Sequence, residues 1–198
     1  MTFFSSQIAR GARAVGTLVV QLMLAAQVVA AEPVADEDAD LPMEVVYGIW
    51  ASSGTMIEVG PARDGGLSAR IISLKHPTWR EKDRAGVAGE PKTDLRNPDP
   101  ARQQTPLIGL ELLRDYRFDR GRWHGRLYLP TSGNTWNSTA RVKDGKLYIR
   151  GFLGISLLGH TQTFEPIERC SENIVRMIEN AGLTGTPCDV SQADAEGH

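Results

Sequence analysis

The sequence predicts a mainly β domain, built as an antiparallel sandwich or barrel and followed by one short helix near the C-terminus. From Glu44 onward, short apolar runs alternate with glycine-containing turns about every eight to twelve residues, a spacing typical of all-β domains. The segment after Cys170 has a helical period instead, with apolar residues three and four apart. About 165 residues remain after the N-terminal segment described next, which suits one compact domain.

Residues 1–31 have the pattern of a secretory signal peptide. Arg10 and Arg13 precede an apolar run from about Ala14 to Ala26, and small residues follow it, which suits cleavage near Ala30 or Ala31. We therefore predict that the protein is exported by the Sec route and is periplasmic or secreted.

An uncleaved membrane anchor is the alternative for the same segment. Gln21 and Gln27 leave the apolar run shorter than the ~20 residues that span a bilayer comfortably. Cleavage is therefore favoured, and it leaves no stable membrane span in the mature chain.

The charge balance argues against nucleic acid as a partner. Removing residues 1–31 removes two of the 22 basic residues and none of the 24 acidic ones, so the mature chain has a formal charge of −4. Binding to phosphates needs clustered basic residues. Residues 32–43 carry five acids and are interpreted as a solvated acidic linker, and the barrel domain is predicted over residues 44–167.

Seven strands are predicted in chain order from apolar runs and the turns between them. The turns Asp64-Gly65-Gly66 and Lys143-Asp144-Gly145 suit tight hairpins. Around Trp136, apolar or small residues alternate with polar ones, as in a half-buried strand. The predicted strands cover residues 45–52, 55–60, 67–75, 122–130, 135–142, 146–152 and 155–164.

The segment "GFLGISLLGH", Gly151 to His160, is glycine-rich, but its residues exclude two kinds of catalytic or phosphate-binding motif. A phosphate-binding P-loop needs a lysine after its second glycine, and His160 stands there. A nucleophile elbow needs glycine two residues after its serine, and Leu158 stands there. The segment is interpreted as a barrel corner between the last two strands, with Gly159 interrupting the last one.

Residues 77–106 form a long loop rich in proline and charge. A loop of this length in a compact domain tends to be functional or disordered. Asp94, Asn97 and Asp99 are oxygen ligands close in sequence, but they lack the spacing of an EF-hand, so Asx and proline turns are the favoured interpretation. No metal site is predicted.

The only two cysteines, Cys170 and Cys188, are predicted to form a disulfide in the C-terminal region, residues 168–198. Ser171 is expected to cap a helix that ends at Gly182 in left-handed conformation. Ile174, Val175 and Ile178 are expected to share its apolar face.

Four motifs in order resemble a family of exported bacterial proteins grouped as a domain of unknown function. They are Gly48-x-Trp50, "NPDPARQQTPLIGL", "WHGRLYLPTSGNTW" and "DGKLYIRGFLGISLLGHTQTF", and the resemblance covers Val45 to Phe164. It implies an eight-stranded, lipocalin-like barrel of the calycin type, with Trp50 at the closed end. The family's last strand ends in Thr-Trp-Thr-Arg, whereas this chain has Thr163-Phe164-Glu165-Pro166 and loses that arginine unless Arg169 replaces it.

The leading functional prediction is binding of a small apolar or amphipathic ligand inside the barrel. An eight-stranded barrel is just wide enough to be filled by side chains or to hold one small ligand. The expected ligand-binding residues, chosen from strand alternation, are Trp50, Leu127, Leu129, Trp136, Leu147 and Ile149.

The alternative is a solid barrel that acts as an interaction module for an envelope protein or a glycan, through the long loop and the helix. Enzymatic activity is not predicted, because no motif places a base and an orienting group beside a nucleophile. His76, His124 and His160 are isolated in sequence, and a pairing of Asp94, Asp99 and Glu111 as acid and base does not follow from their spacing. No catalytic residue and no cofactor are predicted.

Overall fold

The computed structural model describes residues 42–154 and 159–189. The predicted signal peptide, most of the acidic linker and the end of the C-terminal tail lie outside the described residues. The packed structure begins with a 3₁₀-helix, Met43–Val46.

Eight strands and one α-helix follow that 3₁₀-helix. The helix is α1 (Glu172–Ala181). The strands are β1 (Gly48–Ala51), β2 (Thr55–Pro61), β3 (Leu67–Leu74), β4 (Leu113–Asp119), β5 (Arg122–Leu129), β6 (Asn134–Lys143), β7 (Lys146–Phe152) and β8 (Gly159–Pro166).

The strands form one antiparallel sheet in the order β3-β2-β1-β8-β7-β6-β5-β4. The first strand, β1, pairs with the last strand, β8. The sheet is therefore interrupted between β3 and β4, which are its two edge strands. The sheet curls into a half-barrel, and the predicted mainly β fold with eight antiparallel strands and one short C-terminal helix is confirmed.

The segment Gly109–Leu112 spans the seam between the two edge strands. Its backbone exchanges hydrogen bonds with Ile71 of β3 at 3.0 and 2.7 Å, and the Leu112 amide donates to the Ala69 carbonyl at 2.8 Å. On the other side, the Tyr128 amide of β5 donates to the Leu112 carbonyl at 2.8 Å. Loop backbone therefore satisfies edge groups that would otherwise be exposed.

One end of the half-barrel, here called the closed end, is filled by side chains. The indole N–H of Trp50 donates to the Val46 carbonyl at 2.9 Å, and that of Trp123 donates to the Met43 carbonyl at 3.1 Å. Both hydrogen bonds attach the 3₁₀-helix Met43–Val46 to the sheet. Trp50 thus lies where the resemblance places it.

Helix α1 packs on the outer face of the sheet, where Ile174, Met177 and Ile178 contact a cluster that includes Met56 of β2. The Ser73 hydroxyl of β3 donates to the Met177 carbonyl at 2.6 Å. A second core therefore lies outside the half-barrel, built from β1 to β3 and the helix.

The predicted helix and disulfide are confirmed in most details. Cys170 and Cys188 are bonded, and Gly182 ends the helix at φ 61°. Ser171 occupies the N-cap position, but its side chain makes no capping hydrogen bond. Met177, rather than Val175, completes the buried face, since Val175 is only half-buried.

Strand β4 is the element that the sequence patterns miss. Asp115 has a φ of 56° and lies at a bulge, so the inward residues Leu113 and Tyr116 are three apart rather than two. The bulge breaks the period-two alternation on which strand prediction depends.

Two other boundaries differ from the prediction. Residues 45 and 46 belong to the 3₁₀-helix, and β1 begins at Gly48. Gly151 lies inside β7, and the described part of β8 runs from Gly159. The predicted corner also includes residues 155–158, which lie outside the described residues.

Candidate functional site

The other end of the half-barrel is hollow. Here, at what we call the open end, lie the β1–β2 turn, the end of β3, the β5–β6 turn and the start of β8. A cavity of about 870 Å³ extends inward from this end. Cavities of roughly 300–1,000 Å³ are typical of sites for small molecules.

The inner wall of the cavity is apolar. Its aliphatic and aromatic side chains come from β3, from the residue just after the long loop and the seam segment that follows it, and from β5 to β8. They are Ile71, Leu74, Leu107, Leu112, Leu127, Leu129, Trp136, Ile149 and Phe164. Such a wall favours a ligand with an apolar body.

Four of the six expected ligand-binding residues line this cavity: Leu127, Leu129, Trp136 and Ile149. Trp50 and Leu147 do not, and they belong to the filled closed end, at 7% and 1% exposure. Alternation along a strand identifies the face on which a residue lies but not its depth along the barrel. The prediction of lining roles for Trp50 and Leu147 is therefore corrected.

Gly151 contributes to the hollow. It occupies an inward position of β7, and a Cβ built there would meet Leu127 and Trp136 at 3.6 Å, an ordinary van der Waals distance. A Cβ would therefore fit at this position, and the absence of a side chain leaves space inside the half-barrel.

The open end of the cavity carries positively charged and titratable groups that sequence reasoning did not assemble. Lys75 and His76 follow β3, Lys92 comes from the long loop, and His160 lies in β8. Within the described residues, the cavity lining includes no aspartate or glutamate. No motif signals this set, because its members are separated by up to 85 positions in sequence.

Lys92 is held in place by its neighbours. Its ammonium lies 3.1 Å from the Asp83 carboxylate and 5.3 Å from the centroid of the Trp79 ring. Arg80 pairs with the same carboxylate at 2.7 Å. The hydrogen bond from Arg80 is the largest cause that lowers the pKa of Asp83, and the bond from Lys92 adds to it.

The pKa of His76 is lowered by its surroundings at the open end. Its pKa lies below the ordinary 6.5, first because of desolvation and then because of the charges of Arg80, Lys75, Lys92 and Lys82. His76 is therefore mainly neutral at pH 7, and the lysines carry the positive charge there.

The long loop is folded rather than structureless. Bridges join Thr78 to Pro91 and Thr93 to Pro106. The Asp94 carboxylate is fully buried and accepts hydrogen bonds from the Tyr128 hydroxyl at 2.9 and 2.8 Å and from the Asn97 amide at 2.7 Å. These contacts attach the loop to β5 beside the cavity.

The other acidic residues considered at the sequence level are not brought together. Asp99 caps the 3₁₀-helix Pro100–Arg102, and Glu111 accepts a hydrogen bond from Ser68 at 2.9 Å. With Asp94 bound to Tyr128, each carboxylate has a local structural partner. In the described part of the chain no three His, Cys, Asp or Glu side chains are grouped as metal ligands.

Comparisons with known proteins give one family and one similar solved structure. A family profile described as an uncharacterized protein conserved in bacteria (DUF2147) matches residues 48–165. Among solved structures, the chain is similar to protein HP1028 from the human pathogen Helicobacter pylori, described as belonging to the lipocalin family. The identity is 18% and the TM-score 0.49, covering 69% of this chain and 88% of that one. No curated protein matches the sequence.

Proposed function

The chain belongs to the bacterial family DUF2147, and on that premise we propose that it is an exported protein that binds one small apolar or amphipathic molecule inside its half-barrel. The observation that carries the proposal is the cavity of about 870 Å³ with its apolar wall. A preformed apolar cavity gains free energy when apolar ligand surface leaves water, at roughly 25 cal/mol per Å².

Export is supported by the N-terminal pattern and by the disulfide. The disulfide between Cys170 and Cys188 favours an oxidising compartment, since cytosolic thiols are generally kept reduced. No helix in residues 42–154 and 159–189 is long and apolar enough to cross a bilayer. We propose the periplasm as the place of binding.

The alternative, an interaction module with a solid core, has less support. The open end of the half-barrel is hollow, and the apolar face of α1 is already covered by the sheet. The helix therefore does not offer that face to a partner.

A cavity-filling variant tests the proposal. Gly151→Phe places an aromatic side chain in the cavity, and its Cβ fits against Leu127 and Trp136. We expect the wild-type protein to bind the neutral fluorescent probe N-phenyl-1-naphthylamine and Gly151→Phe to lose at least about tenfold in affinity, since the probe and the ring compete for one volume.

The matched control is Gly60→Leu. Gly60 also lies in a strand, β2, and a Cβ there meets nothing within 4 Å. This variant should bind the probe like the wild type. Circular dichroism and thermal unfolding verify that both variants are folded. Wild-type protein that does not bind the probe, or equal binding by folded Gly151→Phe, would contradict the proposal.

A further inference from the structure

The distribution of charge around the cavity indicates which class of ligand it takes. The wall is apolar, whereas the open end carries Lys75, His76, Lys92 and His160 without an acidic residue in the described lining. A molecule that fills the cavity therefore has an apolar body in the interior and one end beside positive charge.

The two lysines differ in how their charges are balanced. Lys92 is paired with Asp83 at 3.1 Å. Lys75 lies between the end of β3 and the long loop, and its ammonium has no ion pair or hydrogen bond to any residue in the described part of the chain. Its backbone is fixed, because its amide donates to the Gly54 carbonyl at 3.0 Å and its carbonyl accepts from the Asn180 amide.

A ligand that covers the open end removes water from the Lys75 ammonium. Desolvating a charge is costly unless an opposite charge or hydrogen-bond acceptors replace the water. A neutral head group compensates only in part, whereas a cationic head adds repulsion. An anionic head group forms a charge-assisted hydrogen bond, roughly twice as strong as a neutral one.

We propose that the ligand is an anionic amphiphile, with its apolar chain in the cavity and its acidic head group bound by Lys75 at the open end. Lys92 lies close by and adds positive potential. This inference rests on the proposed function, because the head group can be selected only if the chain enters the cavity. A carboxylate, a sulfate and a phosphate share the chemistry that Lys75 recognises.

The orientation of the ligand follows from the depth of each group. Leu127, Ile149 and Phe164 lie on strands whose inward residues continue to the closed end, and they receive the chain. Ser53 and Thr131 flank the open end with their hydroxyl groups, beside Ser52, whose hydroxyl donates to the Thr55 carbonyl at 3.1 Å. The head group therefore remains accessible to water on one side.

Competition against bound N-phenyl-1-naphthylamine measures this selectivity. Dodecanoate, 1-dodecanol and dodecylammonium carry the same chain with an anionic, a neutral and a cationic head. We expect dodecanoate to displace the probe at a concentration about tenfold below that of 1-dodecanol, as for one charge-assisted hydrogen bond, with dodecylammonium the weakest. Dodecyl sulfate and dodecyl phosphate compare the acidic head groups.

Lys75→Met keeps an unbranched stem and removes the charge. It should remove the preference for dodecanoate over 1-dodecanol, so that the two competitors displace the probe at similar concentrations. The control is Lys146→Met, because Lys146 is paired with Glu165 at 3.0 Å and does not line the cavity. This control should keep the preference.

Asp83→Asn supplies the opposite change. It removes the countercharge of Lys92, so dodecanoate should bind severalfold more tightly and 1-dodecanol as before. Equal displacement by all three competitors, or a preference that survives in Lys75→Met, overturns the anionic head group and leaves the cavity function standing. Failure of the wild type to bind N-phenyl-1-naphthylamine overturns both proposals.

Discussion

At the scale of single residues, the contact between Asp94 and Tyr128 connects the loop to the cavity. Asp94 is completely buried, and its two oxygens accept hydrogen bonds from two side-chain donors, the Tyr128 hydroxyl and the Asn97 amide. Such a carboxylate is stable only when donors replace its water. Tyr128 is the main donor and also lines the cavity, so the position of the loop depends on a residue of the cavity wall.

This contact predicts an unusual titration. Burial, and then the hydrogen bond and charge of Asp94, raise the pKa of Tyr128 from 10.0 to about 12. A raised pKa in the folded state means that the neutral phenol stabilises the fold below pH 10. This stabilisation is lost as the pH rises from about 10 through about 12.

We expect a spectrophotometric titration of the phenols to contain a component near pH 12 that Tyr128→Phe removes. Asp94→Asn should move this component to lower pH, since the negative charge that opposes ionisation is gone. Tyr148→Phe is the control, because the Tyr148 hydroxyl has no hydrogen-bond partner among the described residues. Persistence of the component in Tyr128→Phe would assign it to another residue.

At the scale of elements, β4 and β5 show how a bulge and a glycine are matched. The bulge at Asp115 turns Tyr116 inward, where its hydroxyl bonds to Ser138 of β6. Its ring then lies over Gly125 of β5, whose missing side chain makes the space. The Tyr116 ring thus packs directly against the backbone of Gly125 on the neighbouring strand.

Gly125→Ala should therefore destabilise the protein. The added Cβ would collide with the Tyr116 ring and would lie 2.8 Å from the Arg114 carbonyl oxygen, a backbone atom that cannot rotate away. We expect a loss of about 1–3 kcal/mol in the free energy of unfolding, as for other overpacked cores, measured by urea denaturation. Gly151→Ala is the control, since its Cβ contacts lie at 3.6 Å. Equal stability of the two variants would refute this packing relation.

At the scale of the whole molecule, the two cores have different roles. The inner core fills the closed end and leaves the cavity, whereas the outer core attaches α1 to the sheet. The disulfide joins the residues before and after that helix, 18 positions apart. In an oxidising compartment the disulfide would form and stabilise the outer core, and the cavity would not change.

The double variant Cys170→Ser/Cys188→Ser should separate these roles. Loss of a cross-link of this length costs roughly 3 kcal/mol in the chain-entropy model, and urea denaturation measures it. Binding of N-phenyl-1-naphthylamine below the unfolding transition should be unchanged, because no cysteine lines the cavity. The reduced wild-type protein should unfold at the same urea concentration as the double variant. If the double variant were as stable as the oxidised wild-type protein, the prediction would be wrong.

The agreement between sequence and structure is best where a feature is local. Along β6 the buried residues are Ser138, Ala140 and Val142, which alternate as the sequence predicts. The period of a strand is set by its own backbone, so neighbours in sequence are enough to reveal it. Strand β4 was missed because Asp115 breaks that period, and the bulge is stabilised by contacts with β5 and β6.

The amino-acid sequence alone thus determines the mainly β class, seven of the eight strands, the C-terminal helix and the cysteine pair, since periodicity, turn residues and cysteine number act locally. The tertiary structure alone decides that the closed end is solid and the open end hollow, that Gly109–Leu112 spans the seam, and that Lys75, Lys92 and His160 share one rim. These features depend on how strands distant in sequence are registered and how deep each side chain lies in the curled sheet. A strand's own pattern encodes which side a residue faces, but the depth is set by its neighbours.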